Sequence, residues 1–354
     1  MDIKIITIHA MDNPGSVFQA FALQKYLDNY GNTTIIDYRP SYFYREKSKL
    51  KYFLKKVLFY KDYASRRRKF DSFINDNMKL TNRFNEYDEL CDSKISADIF
   101  VVGSDQLWNT DYDCGEDPAF YLKFIDNGYF ISYATSIGKN KLSKKDITIL
   151  TNELDRFKYL SVRENSNAQE LSDLLHRPVA WVCDPVFLLN PSVYIGYINK
   201  RICNDNYVVV YLSESSAILD SIVEYYKSCG KKIILLGGFT KRCNCDIHVK
   251  DAGPLEFLNY IYYADAVVSS SFHATAFSII FQKEFLTILP KYNGERILSI
   301  LRLCGISERA VKDLFDENTL KTPINWDIVK NNLNSHVLSS KEYLKIACNK
   351  KGEL

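Results

Sequence analysis

The chain has 354 residues, 46% hydrophobic and 25% charged, the balance of a globular protein and the length of two domains. A disordered, collagenous or fibrous chain is excluded, and apolar runs such as IILLGG fall short of the ~18–20 residues of a membrane span. The net charge of +3 is gathered locally: residues 39–69 hold twelve Lys or Arg and two acids, Glu46 and Asp62, leaving the remainder acidic. A general nucleic-acid binder spreads its positive charge more widely, so no nucleic-acid partner is expected.

The chain opens on a strand, IKIITIH (3–9), with no basic and then apolar leader, and its nine scattered cysteines read as reduced thiols of a cytoplasmic protein. A turn at Pro14-Gly15 leads into SVFQAFALQKYLDNY, whose apolar residues recur at helical spacing, with Ser16 expected as N-cap and Gly31 as the stop. The strand TTIIDY (33–38) closes this first unit. Within 39–69, Leu50, Phe53, Leu54, Val57 and Leu58 alternate with lysines as a basic amphipathic helix would, which suits an anionic membrane surface or simply a solvated face. Buried parallel strands are expected at ADIFVVG (97–103), YFISYAT (129–135), YLSVRE (159–164) and VAWVCDP (179–185). After a Pro/Asn-containing stretch near residue 190 the series resumes with YVVVYLS (207–213), KKIILLG (231–237), ADAVVSSS (264–271) and EFLTILP (284–290). Helices at 216–229, 254–263 and 274–282 alternate with them, and a helical tail follows from Trp326. The alternation predicts an α/β protein of two Rossmann-like, doubly wound domains facing a cleft. The domains are expected at 1–188 and 189–325, with a tail at 326–354 packing back.

In such folds ligands sit at the carboxyl ends of strands, which directs attention to the strings found there. The first βα turn places Gly15, Ser16 and Gln19 at a helix start, where free N–H groups favour an anion, though a single glycine is no dinucleotide fingerprint. VVGSDQLWN sets Ser104, Asp105, Gln106, Trp108 and Asn109 at a strand end, an indole beside hydrogen-bonding side chains, as a sugar site requires. SVRE ends another strand on Arg163, a planar fork for carboxylate or phosphate. SSSFHATAFS brings Ser270, Ser271 and His273 to a helix start, with histidine suited to proton transfer near neutral pH. Arg296 opens a later helix and can face the same cleft. Cys243-x-Cys245-x-x-His248 has metal-binding residue types without a fourth ligand at the usual spacing, and no feature demands a metal.

Taken in order, NPGSVFQAFALQ, IDYRP, VVGSDQLWN, SYATSIG, LSVRE, CDPVFLL, AGPLEFL, SSSFHATAFSIIF and NGERILSIL resemble the blocks of the polysaccharide pyruvyl transferase family, from about residue 3 to about 310. The resemblance implies a glycosyltransferase-B-like fold and transfer of pyruvate from phosphoenolpyruvate to two hydroxyls of a sugar as a cyclic ketal. Phosphoenolpyruvate is then a co-substrate, no separate cofactor is implied, and the acceptor is a sugar or a lipid-linked oligosaccharide at the inner face of the cytoplasmic membrane. By the same likeness His273 is the acid/base, Arg163 holds the donor, and Asp105, Gln106, Trp108 and Asn109 shape the acceptor side. Where many members carry an arginine two residues before the histidine, this chain has Ser271, and Arg296, with Arg309, is expected to supply the missing cation. Two other readings stand beside this one: a glycosyltransferase using a nucleotide sugar, and a glycan-binding relative without turnover.

Overall fold

A computed structural model describes residues 1–44, 58–212, 216–238, 241–291 and 294–349. The first sheet is parallel, with order β3-β2-β1-β4-β5 built from β1 (Asp2–Ile6), β2 (Asn32–Tyr38), β3 (Leu80–Phe84), β4 (Ile99–Val102) and β5 (Phe130–Ser132). A parallel pair, β6 (Leu160–Val162) and β7 (Val179–Trp181), continues past β5 through single bridges from Ile131 to Tyr159 and from Thr135 to Val162. The second sheet has order β10-β9-β8-β11-β12-β13, from β8 (Tyr207–Tyr211), β9 (Lys232–Leu236), β10 (Ile247–Val249), β11 (Ala266–Ser269), β12 (Glu284–Ile288) and β13 (Ala310–Val311). The central strands IFVV and YVVVY are apolar without alternation because helices cover both faces of a parallel sheet. β3, β10 and β13 lie toward or at sheet edges and lack such a run, which is why the sequence does not announce them.

The helices are α1 (Pro14–Leu27), α2 (Tyr60–Asn77), α3 (Tyr87–Asp92), α4 (Lys144–Glu153), α5 (Asn165–Leu175), α6 (Pro191–Ile195), α7 (Leu219–Ser228), α8 (Pro254–Tyr263), α9 (Phe272–Ile280), α10 (Glu295–Cys304), α11 (Asn318–Lys321) and α12 (Trp326–Asn349). α1 and α9 are buried on nearly every face, so neither shows the polar stripe of a surface helix. They meet between the sheets, where Phe277 packs edge-on against Phe18 at 5.2 Å and Tyr194 at 5.0 Å between ring centroids, and one hydrophobic core runs through both sheets. Among the described residues no helix is long and apolar enough to cross a membrane.

Two local expectations are corrected. α1 starts at Pro14 with Asn13, not Ser16, as N-cap: the Asn13 side chain accepts from the Gly15 N–H at 2.9 Å, and Pro14 supplies a preset φ at the first position. The helix ends at Leu27, with Asp28 as its C-cap, four residues before Gly31. Residues 45–57 of the basic amphipathic segment, including Leu50, Phe53, Leu54 and Val57, lie outside the described residues. Several cations in its described part are paired within the chain: Arg67 with Asp71 and Asp12, and Lys69 with Asp251 and Glu256, which ties α2 to the second domain.

Candidate active site

In both sheets the strand order reverses beside the first strand, between β1 and β4 and between β8 and β11. The helices that leave these two points, α1 and α9, begin against each other. At Gly15 a Cβ would lie 2.2 Å from His273 Nδ1, so only glycine lets the imidazole stand at the start of α1.

The carboxyl ends of β6 and β7 bring Arg163 and Asp184 to the same place. Arg163 Nη1 donates to Asp184 Oδ2 at 2.5 Å and to Ser104 Oγ at 3.2 Å, while Ser104 donates in turn to Asp184 Oδ2 at 3.1 Å. His273 Nε2 stands 3.5 Å from that same carboxylate oxygen, so histidine and arginine converge on one acid. Burial would raise the Asp184 carboxyl, but His273 and Arg163 outweigh it and hold the group well below the carboxylate range. The other Asp184 oxygen accepts from the Val186 N–H at 3.1 Å, fixing the carboxylate as the cap of a short turn. Arg163 lies with its guanidinium 4.5 Å from the Phe272 ring centroid and its Nε 3.8 Å from Glu164.

Arg296 joins from the first turn of α10. Burial, and then the neighbouring Arg163, pushes its guanidinium down, with Asp105 and Glu164 pulling the other way. Two guanidiniums thus repel one another across a shielded space. Among the described residues, Arg163 Nε and Nη2 and Arg296 Nε are closed off from solvent without a hydrogen-bond partner, and His273 Nε2 has only its long 3.5 Å approach to Asp184. Buried donors left unpaired are costly, and an anion bearing several acceptor oxygens would satisfy them.

Beside these cations lies a cleft of about 640 Å³ walled by Ser16, Asp105, Gln106, Tyr42, Phe43 and Tyr112, with Asp111 and Asp113 at its rim. Ser16 donates to Asp105 Oδ2 at 2.6 Å, which its release from the N-cap position permits. Asp105 holds φ at +90°, unusual for a residue with a Cβ, and is kept there by the Ser136 N–H, which donates to its carbonyl at 2.8 Å.

Other expected residues are placed differently. Trp108 does not face the cleft; it is fully buried, donates to the Phe120 carbonyl at 3.2 Å and stacks on Tyr121. Asn109 is buried and donates to Gln106 Oε1 at 3.0 Å, bracing the loop. The Gln19 amide is spent on the carbonyls of Ile8 and Ser16, at 2.7 and 2.9 Å, and so staples the first βα turn. Ser271 precedes α9, half-buried, with its N–H on Ser269 Oγ at 2.9 Å, and the buried Ser270 has its N–H on the Tyr211 carbonyl at 3.3 Å. Arg309 is absent from the cluster: it pairs with Glu284 at 3.1 Å and donates to the Thr322 carbonyl inside the second domain. Cys243 and Cys245 are buried in an apolar cluster, and His248 Nε2 lies 3.2 Å from the Gly237 carbonyl. The residues that the sequence reading missed are Asp184 and Glu164. Glu164 lies two residues past β6 and Asp184 three past β7, and the Asp-Pro step at 184–185 reads most simply as a turn.

The family model described as polysaccharide pyruvyl transferase matches residues 13–292. Among solved structures, the chain is similar to Methanocaldococcus jannaschii UDP-GlcNAc 2-epimerase in complex with UDP-GlcNAc and UDP, at 13% identity and TM-score 0.50, covering 98% of this chain and 99% of that one. It is similar also to a putative UDP-N-acetylglucosamine 2-epimerase from Listeria monocytogenes, at 10% identity and TM-score 0.52 over 99% and 90% of the two chains. An α-glucosyltransferase in complex with UDP aligns at 9% identity and TM-score 0.53 over 97% and 94%. These likenesses are of fold, that of the glycosyltransferase-B and epimerase group. No curated protein matches the chain.

Proposed function

The chain belongs to the polysaccharide pyruvyl transferase family, and from that premise we propose that it moves pyruvate from phosphoenolpyruvate onto two hydroxyls of a glycan precursor, forming a cyclic ketal. The observation that carries the reading is the set of shielded donors on Arg163 and Arg296 that have no hydrogen-bond partner among the described residues, with His273 beside them. Phosphoenolpyruvate carries a phosphate and a carboxylate close together, and two guanidiniums held against each other suit such a doubly anionic molecule.

In this reading His273 gives a proton to the methylene carbon, which becomes the methyl group, and positive charge develops at the neighbouring carbon. One sugar hydroxyl adds there and loses its proton. The second hydroxyl then adds with loss of its own proton, the carbon–oxygen bond to phosphate breaks, and phosphate leaves toward the guanidiniums. Asp184, held at Nε2 of His273, orients the imidazole and balances the charge that it gains. The acceptor lies in the adjacent cleft, with Ser16, Asp105 and Gln106 toward its hydroxyls and Tyr112 or Phe43 toward its apolar ring face.

Incubation with phosphoenolpyruvate and a panel of lipid-linked hexose acceptors is expected to release phosphate and to give a product heavier by one ketal-linked pyruvate. Nucleotide release from a nucleotide sugar, with no phosphate from phosphoenolpyruvate, would instead establish a glycosyltransferase. Arg296→Gln is expected to raise the KM for phosphoenolpyruvate by about 10- to 100-fold, the loss of one charge-assisted contact or two. Unchanged donor affinity would remove Arg296 from the site. The charged lining of the acceptor cleft consists of the carboxylates of Asp105, Asp111 and Asp113, with no Lys or Arg among its described walls. A uronic acid should therefore be used about tenfold less well than the matching neutral sugar, and Asp113→Asn should narrow that gap. Competition between the two sugars, read by product ratio, checks both statements.

A further inference from the structure

Helix α12 lies beyond the residues that match the family model, and so does Arg296, yet α12 packs directly on the backbone behind the cations. β7 is a three-residue strand paired with β6, so its sheet contacts alone give Asp184 little support. Ser340 on α12 supplies a fixed point: its Oγ accepts from the Cys183 N–H at 2.9 Å and donates to the His336 carbonyl at 2.7 Å, so one hydroxyl locks the residue before Asp184 to the helix. One turn earlier on α12 the His336 ring lies 4.2 Å from that of Trp181. The Trp181 indole donates to the Arg163 carbonyl at 3.1 Å. His336, Trp181, Arg163, Asp184 and Arg296 line one small pocket of about 10 Å³.

We propose that α12 completes the donor site, with Ser340 and His336 as positioning residues that hold 181–184 so that Arg163 and Asp184 face His273. The charge on this helix fits the role. Burial pushes the His336 imidazole down to about 4, so it is neutral at pH 7 and adds no further positive charge to the cluster. The proposal rests on phosphoenolpyruvate being the anion bound there, and the test separates the two ideas.

The full chain and its Ser340→Ala, Ser340→Thr and Tyr129→Phe variants are compared by calorimetric titration with phosphoenolpyruvate. The indole N–H signals of ¹⁵N-labelled protein are followed in parallel. Three tryptophans make that spectrum simple to assign. Ser340→Ala is expected to weaken phosphoenolpyruvate binding by about five- to tenfold and to move the Trp181 signal. Ser340→Thr, which keeps the hydroxyl, should restore both. Tyr129→Phe also removes a contact to α12, a 3.1 Å hydrogen bond to the Ala347 carbonyl far from 181–184, and should leave both readouts at parent values. Any other pattern overturns the proposal, including equal weakening in Tyr129→Phe, which would mean general loosening of the helix. If the parent itself binds no phosphoenolpyruvate, the pyruvyl transferase reading falls, and the Trp181 signal alone then decides. Movement in Ser340→Ala with recovery in Ser340→Thr upholds the positioning, and an unmoved signal overturns it.

Discussion

Replacing His273 with alanine is expected to lower the rate of pyruvyl transfer by about 10²- to 10⁴-fold, the usual contribution of a general acid–base group. Donor affinity should fall far less than the rate, because in the proposed reading Arg163 and Arg296 carry the charge that holds the anion. The proposed reaction moves one proton onto carbon and two off hydroxyls, and among the residues of the cluster the imidazole is the group suited to that exchange. Its placement is tight: one side faces Asp184 Oδ2 at 3.5 Å, and the other leaves no room for a Cβ at Gly15. Gly15→Ala therefore acts as a second route to the same result. The added carbon must displace the ring from its seat between Gly15 and Asp184, and a shift of about 1 Å at the reacting group can cost up to about 10²-fold in rate. The pair is checked by single-turnover phosphate release at saturating donor. A His273→Ala protein that keeps the parent rate would end the acid–base assignment, whatever the fate of Gly15→Ala.

The legible and illegible parts of this molecule divide along a physical line. Buried parallel strands need continuous apolar runs, so VVVY, IFVV and IILL mark the sheet centres, whereas the edge segments LTNRF and IHV bury too little to leave a pattern. Arg163, Arg296 and His273 were visible because each sits just after a strand or at a helix start, where the fold class places ligands. The direction of a side chain at such a position is another matter. Trp108 occupies a strand-end loop suited to holding a sugar, but a 3₁₀ turn over Pro118–Tyr121 folds beneath it and encloses the indole. Nothing local encodes that cover. Asp184 went unnoticed for the opposite reason, since an acid before proline suits a turn, and its partners Ser104, Arg163 and His273 come from segments 21 to 89 positions away. Serine at position 16 looked like a cap until Asn13 filled that role one turn earlier, leaving the hydroxyl for Asp105.

Asp184→Asn should have the largest effect on stability. The side chain keeps its shape and its acceptor toward Arg163 and Ser104 but loses its charge, leaving Arg163 fully buried with Glu164 as the nearest remaining acid at 3.8 Å. Breaking a buried ion pair from one side typically costs about 3–5 kcal/mol, because the surviving charge is shielded from water without compensation. The pH dependence follows from the direction of the shift. The folded protein holds Asp184 ionised far more strongly than the unfolded chain does, so its contribution is complete above about pH 4 and fades as the pH falls below that. The substituted amide cannot titrate, so the variant should start lower at neutral pH and lose less on acidification than the parent. The uncompensated pair of guanidiniums should also make the variant depend more on a bound anion. Added phosphoenolpyruvate is expected to raise its thermal unfolding midpoint by more than it raises the parent's, since ligand binding now supplies the missing negative charge. Thermal unfolding with and without phosphoenolpyruvate, from about pH 8 down to about pH 3, spans the onset of that loss and tests all three statements. A variant that melts with the parent and gains no more from the anion would show that Asp184 and Arg163 are not the electrostatic centre of this cleft.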